Sequence, residues 1–206
     1  MKKIIAGMGV VLCVFLSACS STPKVARVDA ATQTDLTGRW NDSDVRQVCE
    51  SLIASAISSP AIDAYIRDYS GRNGGALPAV IIGTFKNTSS EHIDTRIISS
   101  RMRTAIINSG KLAFVEHGNV RDEIRAERDD QQANASDTTA ASVDKETGAN
   151  FILTGEVNSM EERADNTTVR VYFVKATITN IETNRIIWED ENNEIKKVIR
   201  QPRVKL

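Results

Sequence analysis

The sequence predicts a single α/β domain in which helices pack against a mixed β-sheet of four to five strands, and the sheet ends in an antiparallel meander. One observation is the size: 206 residues with 41% hydrophobic side chains suffice for one domain with a buried core. A second is that helical and strand-like spacings of apolar residues alternate through the middle of the chain. A third is a series of three strand-like runs joined by short turns near the C-terminus.

The folded part is predicted to open with two helices and a strand. Capping residues 41–44 precede apolar positions at helical spacing from Val45 to Ile57, so we expect a first helix there, with Cys49 as a small core residue. A second, shorter helix is predicted over 61–69. The β-branched run 79–85 is almost continuously apolar, which predicts a central strand covered on both faces.

The next three elements follow the same alternation. Residues 93–108 return to helical spacing and end at Gly110, a residue typical of a helix C-terminus. A strand is predicted over 112–116. Residues 119–132 form a strongly charged helical segment, which indicates a solvated helix.

The meander is predicted over 149–157, 169–178 and 186–189, with turns at 161–166 and 182–184. The chain from residue 195 onward carries five basic residues and no acidic one. Such a segment could bind an anionic envelope polymer or a partner, but we expect a solvated tail.

Composition and motifs exclude several classes of function. The 26 basic and 27 acidic residues nearly cancel, so no nucleic-acid partner is expected. Three cysteines without CxxC spacing and two histidines give no ligand set for zinc, so neither a metal nor a cofactor is expected. A Gly-x-Ser-x-Gly elbow and a glycine-rich phosphate loop are both missing from the sequence, so we expect no catalytic residues and no enzyme.

The N-terminus resembles bacterial lipoprotein precursors. Lys2 and Lys3 precede an apolar run over 4–16 that is too short to cross a bilayer, and the sequence LSAC ends at Cys19. The resemblance implies cleavage before Cys19, its acylation with fatty acids such as palmitate, and a membrane anchor. Residues 1–18 would then be the signal peptide, 19–36 a lipidated flexible tether, and 37–206 the globular domain with its basic tail.

The residue after the cysteine indicates the destination of the lipoprotein. Ser20 is not the aspartate that retains many lipoproteins in the inner membrane, so the lipoprotein resemblance implies an outer-membrane protein that faces the periplasm.

Five segments together resemble the LpoB-type activators of penicillin-binding proteins: GRWNDSD (38–44), FKNTSSEHID (85–94), SGK with FV (109–111, 114–115), GANFILTGE (148–156) and IETNRIIW (181–188). The resemblance implies a non-enzymatic lipoprotein of peptidoglycan synthesis, and hence of cell-wall growth and cell shape. Its domain would resemble the N-terminal domain of TolB. It would bind a class A penicillin-binding protein and stimulate glycan polymerisation and crosslinking allosterically.

The second of these segments supplies the candidate partner-binding residues, which are Asn87, Thr88, Glu91, His92 and Asp94. Asn87, Thr88 and Glu91 are also residue types that cap a helix, and that is their structural interpretation.

The alternative function is that of an accessory lipoprotein of an envelope secretion or assembly complex, because the curli-secretion CsgG family shares a related α/β layer. The tether bears on both functions. Activators of this type cross the periplasm on a long disordered tether, and this one has only 17 residues, 20–36. Fully stretched, it would reach at most about 60 Å.

Overall fold

The computed structural model describes residues 26–29, 32–143 and 145–202. The predicted signal peptide and Cys19 lie outside these residues. The chain divides into two units, Met1–Thr32 and Gln33–Leu206, and all helices and strands below belong to the second unit.

Within the described residues the domain has four helices and six strands. The helices are α1 (Asp42–Ile57), α2 (Pro60–Arg72), α3 (Thr95–Ser109) and α4 (Gly118–Asn134). The strands are β1 (Ala79–Asn87), β2 (Ala113–Phe114), β3 (Phe151–Ala164), β4 (Thr167–Asn180), β5 (Ile186–Asn192) and β6 (Lys196–Arg200). The predicted α/β class is confirmed, as is the order of elements.

The sheet is mixed, with the strand order β2-β1-β3-β4-β5. β1 pairs in parallel with β2 and β3, whereas β3, β4 and β5 form the predicted antiparallel meander. β4 is long enough to take two neighbours on one side. Its residues 174–179 pair with β5, and residues 167–171 pair with β6.

The core lies on one face of this sheet. On β3 Phe151, Leu153 and Val157 are buried, and on β4 every second residue from Tyr172 to Asn180 is buried, as expected for a sheet with one covered face. The helices α1 and α3 supply the opposing apolar side chains of the core, Val48, Leu52, Ile98 and Met102. Cys49 lies in this core, as predicted, and is 2% exposed. Its burial raises the pKa of the thiol to about 11.

One prediction about β1 is wrong. Ala79 and Val80 are buried, but Ile81 on the other face from the core is only half-buried, and so is Ile152 beside it on β3. A continuous apolar run therefore does not mean two covered faces here, since the core cluster draws its strand residues from one face of the sheet.

The boundaries of other elements also differ from expectation. β2 has two residues rather than five, and the turn between β3 and β4 shrinks to Asp165 and Asn166, with Asp165 at φ +50°. The solvated tail expected from residue 195 is instead a strand over Lys196–Arg200. The prediction for α4 is confirmed, since it has no buried residue.

An ion-pair cluster explains why β6 forms. The Nζ of Lys197 lies 2.7 Å from carboxylate oxygens of both Asp44 and Asp35, and it donates to the Arg39 carbonyl at 2.8 Å. Asp44 is 4% exposed, at the N-terminus of α1. These contacts hold β6 against α1, and they give Asp35 contacts with the domain.

Candidate functional site

The predicted partner-binding residues all lie at the junction of β1 and α3. Asn87 is the last residue of β1, and its side chain folds the loop that follows. Its Nδ2 donates to the Glu91 carbonyl at 2.7 Å, and its Oδ1 accepts from the amide of Ser89 at 3.0 Å. Short local hydrogen bonds of this kind define a turn, so Asn87 sets the course of the loop.

Thr88 attaches the loop to β3. Its amide donates to the Val157 carbonyl at 2.8 Å, which continues the hydrogen-bond ladder of the sheet by one residue. Its hydroxyl donates to Glu156 at 2.9 Å. The first residue of the loop therefore stays in register with the sheet.

Asp94 ends the loop and caps α3. Its carboxylate accepts from the Arg96 amide at 3.1 Å and forms an ion pair with the Arg96 guanidinium at 2.7 Å. The Arg96 side chain, and then its amide, lower the pKa of Asp94 to about 2. The capping role that the sequence suggested for this loop is thus filled by Asp94.

Glu91 is the centre of a buried polar cluster. Its Oε2 accepts from the Trp40 amide at 3.0 Å and from the Tyr172 hydroxyl at 2.8 Å, and its Oε1 forms an ion pair with Arg170. The side chains of Glu91 and Arg170 are only 10% and 12% exposed. Arg170 forms a second ion pair, with Glu161 of β3.

Aromatic packing stabilises the cluster, and burial within the cluster keeps its tyrosine protonated. The rings of Trp40 and Tyr172 meet edge to face at 5.1 Å between centroids. Burial, and then the hydrogen bond to Glu91, raise the pKa of Tyr172 well above its ordinary value. Tyr172 therefore remains a protonated donor throughout the physiological range.

The residues that attach the loop to the domain were not among the predicted site residues. Trp40, Arg170 and Tyr172 lie 51, 79 and 81 positions away from Glu91, so no local spacing could reveal the contacts. The two-residue period of the predicted strand was the available signal, because it places Arg170 on the same face as Tyr172.

The loop can act as a binding surface, and its residues divide into two groups. Glu91 and Asp94 have structural partners, whereas the side chain of His92 is exposed. Asn87 and Thr88 are also exposed, although Asn87 bonds within the loop and Thr88 bonds to β3. Nothing in the described ranges forms a group of three His, Cys, Asp or Glu residues that could hold a metal ion. Over the same residues, no helix combines the length and the apolar character that a membrane span requires.

These features describe an α/β domain that presents a polar loop fixed by hydrogen bonds. A family model described as peptidoglycan-synthase activator LpoB matches residues 44–194. The chain therefore belongs to the LpoB family of peptidoglycan-synthase activators, as its sequence resemblance predicted. Among curated proteins, none matches the chain.

Solved structures of LpoB are similar to this chain at low identity. The C-terminal domain of LpoB from Salmonella enterica is 15% identical, with a TM-score of 0.41, over 77% of this chain and 99% of that one. The corresponding domain from Escherichia coli is 13% identical, with the same TM-score and coverage. The NMR structure of E. coli LpoB is 12% identical, with a TM-score of 0.39, over 90% of this chain and 87% of that one.

Proposed function

We propose that this protein is an outer-membrane lipoprotein that binds a class A penicillin-binding protein and activates it allosterically in peptidoglycan synthesis. The observation that carries the proposal is the family match over residues 44–194, which includes all but the first two residues of α1, and all of α2 to α4 and β1 to β5. An activator of this kind must bind the active conformation of the synthase more tightly than the inactive one. A difference of tenfold in affinity would shift the conformational equilibrium by about 1.4 kcal/mol.

The loop after β1 is proposed as part of the contact with the synthase. Its internal hydrogen bonds and the buried Glu91 fix it before binding, so little entropy is lost when a partner docks. The exposed side chains of Asn87, Thr88 and His92 are the groups that a partner would meet.

A matched pair of histidine variants tests the role of the loop. His117 is the other histidine of the chain, is also exposed, and makes no side-chain capping bond at the start of α4. We expect His92→Ala to weaken binding to the synthase several-fold and His117→Ala to leave it unchanged. Equal affinities for both variants would remove His92 from the contact.

The lipid anchor is proposed on Cys19 at the outer membrane. The support is the LSAC sequence after a short apolar run, with serine at position 20. We expect Cys19→Ser to accumulate as an uncleaved precursor without fatty acid, which mass spectrometry of the purified protein would show. Normal processing of this variant would contradict the anchor.

Crosslinking in the cell tests the proposed partner. The tagged, full-length protein is crosslinked in living cells, and mass spectrometry identifies the proteins that co-purify. We expect a class A penicillin-binding protein. Recovery of only secretion or assembly components would contradict the proposal and favour an accessory role in an envelope complex.

A further inference from the structure

An apolar patch lies on the open face of the sheet, opposite the core. It is formed by cross-strand neighbours at the far end of the β3–β4 hairpin and on β6: Met160, Val169, Val171, Phe173 and Val198. Met160 is 60% exposed and Val198 is 53% exposed, while the three residues of β4 are half-buried. Met160 pairs with Val171, and Val169 pairs with Val198, so the side chains touch across three strands.

The pairing register of the strands directs these side chains away from the core. The alternate residues of the same strands point inward, where Arg170 and Tyr172 bind Glu91, and Lys197 binds Asp44. The rest of the open face is mostly polar along β4, with Lys175 and Thr177. Along β4 the outward apolar side chains are therefore grouped beside β6, apart from the half-buried Ile81 and Ile152 at the other end of the sheet.

Charged side chains border the patch, with cations on the β6 side and a carboxylate on the β3 side. Lys196 and Arg200 lie on β6 opposite Val171 and Thr167, so they share the open face. Both are exposed. Glu162 lies on the β3 side, opposite Val169. A complementary partner would place carboxylates over β6 and a cation over Glu162.

The size of the patch favours a transient partner over a second copy of the chain. Three strands at about 4.8 Å spacing and five residues at about 3.4 Å each define an apolar area on the order of 200 Å². A stable dimer buries roughly 800 Å² on each partner, with a predominantly apolar centre. A small apolar centre with a charged border is typical of a contact between different proteins that associate and separate.

We infer that this patch docks the peptidoglycan synthase, which would present apolar side chains flanked by carboxylates on the side that faces β6. The inference rests on the proposed function and names the surface that performs it. The patch is also continuous with the loop after β1. Thr88 donates to Glu156, whose side chain lies on the open face four residues before Met160. Loop and patch thus form one surface, with the loop at its edge.

The test compares two variants of the full-length protein, purified in detergent. The first carries Met160→Glu with Val198→Glu, which places charge in the patch. The control carries Ile186→Glu, because Ile186 is a comparably exposed apolar residue, at 59%, on β5 outside the patch. Affinity for the purified periplasmic part of a cognate class A penicillin-binding protein is measured by biolayer interferometry. We expect the patch variant to bind at least about tenfold more weakly and the control to match the unmodified protein.

A charge variant tests the same surface without altering its apolar side chains. Lys196→Glu with Arg200→Glu is expected to weaken binding several-fold and to reduce its dependence on salt, since these residues would attract carboxylates. If the patch variant fails to fold, as shown by its circular dichroism, this second variant decides.

The possible outcomes distinguish a failure of the proposed docking surface from a failure of the proposed function. If the unmodified protein binds the synthase and both the patch variant and the charge variant bind it equally well, the patch is not the docking surface. The proposed function would then still stand. Failure of the unmodified protein to bind would overturn both. Concentration-dependent dimers in sedimentation velocity that the patch variant abolishes would assign the surface to a second copy and overturn the inference.

Discussion

At the scale of single residues, one buried carboxylate attaches the loop to the rest of the domain. Glu91 accepts from a backbone amide and a tyrosine and neutralises Arg170 in a site that water hardly reaches. Buried charges are tolerated when they are paired and hydrogen-bonded, and removal of one partner exposes the full desolvation cost of the other. Glu91 is therefore expected to stabilise the domain more than any exposed ion pair on its surface.

The first prediction concerns this carboxylate. We expect Glu91→Gln to lower the free energy of unfolding by about 1–3 kcal/mol, since Arg170 would keep only Glu161 as a counter-ion. Glu162→Gln is the matched control, because Glu162 is exposed on the neighbouring strand, and its effect should stay within about 0.5 kcal/mol. Urea denaturation measures both. Equal stabilities for the two variants would show that the cluster contributes nothing.

The second prediction concerns Asp94 and pH. Its pKa is lowered from 3.8 to about 2. The ionised carboxylate is therefore favoured in the folded state, and that contribution is complete above about pH 5 and is lost as the pH falls through the folded pKa of about 2. An NMR titration of Asp94 should give this low pKa, and Arg96→Gln should return it toward 3.8.

Another arginine of α3 provides the control for that titration. Arg101 is exposed on the same helix, and Arg101→Gln should leave the titration of Asp94 unchanged. A pKa near 3.8 in the unmodified protein would contradict the assignment of the ion pair.

At the scale of elements, the sequence was informative where a local pattern decides the structure. The capping residues before α1, the apolar spacing of α3 and the turn before β5 all gave the observed elements. β6 could not be predicted, since Lys196, Lys197 and Arg200 outnumber its two apolar residues. That strand depends on ion pairs with Asp35 and Asp44, which lie more than 150 positions away in the chain.

Close packing between β1 and β3 was equally invisible in the sequence. A Cβ built on Gly155 would lie 2.4 Å from the ring of Phe85 and 2.9 Å from the Lys175 carbonyl oxygen. Glycine is therefore required at this position because the Phe85 ring crosses over the β3 backbone. The sequence predicted the strand, but only the register between strands shows why a glycine stands in it.

The third prediction tests what holds β6 in place. Lys197→Met removes the cation that neutralises Asp44, so we expect a loss of about 2–4 kcal/mol in the free energy of unfolding. Lys196→Met, one residue earlier and pointing to the open face, should change it by less than about 0.5 kcal/mol. Hydrogen exchange should also show faster exchange of the β6 amides in the Lys197 variant alone. Similar stabilities for both variants would mean that β6 is held by its backbone pairing with β4.

At the scale of the whole molecule, the sheet separates two tasks. Its inner face, with α1 and α3, holds the core and the buried cluster, while the open face carries the apolar patch beside the loop. The sequence predicted the loop residues but not their division into buried supports and exposed contacts. The patch was not predicted either, since apolar residues of a strand are assigned to the core until the pairing shows which face they share.

The distance between the outer and inner membranes also bears on the proposed function. Asp35 contacts Lys197 and Asn41, so the proposed tether after Cys19 would have fewer free residues than the 17 read from the sequence. At about 3.5 Å per residue, a chain of this length reaches less than 60 Å. The proposed function therefore requires a synthase that extends well outward from the inner membrane.

Activation itself is measured by the rate of glycan polymerisation by a purified cognate class A penicillin-binding protein, with increasing amounts of the domain from Gln33 onward. The domain should begin there so that it keeps the Asp35 contacts. We expect the polymerisation rate to rise with the concentration of the domain and then to saturate as the synthase becomes occupied. A flat rate at saturating domain, with both proteins shown to be folded, would contradict the proposed activation.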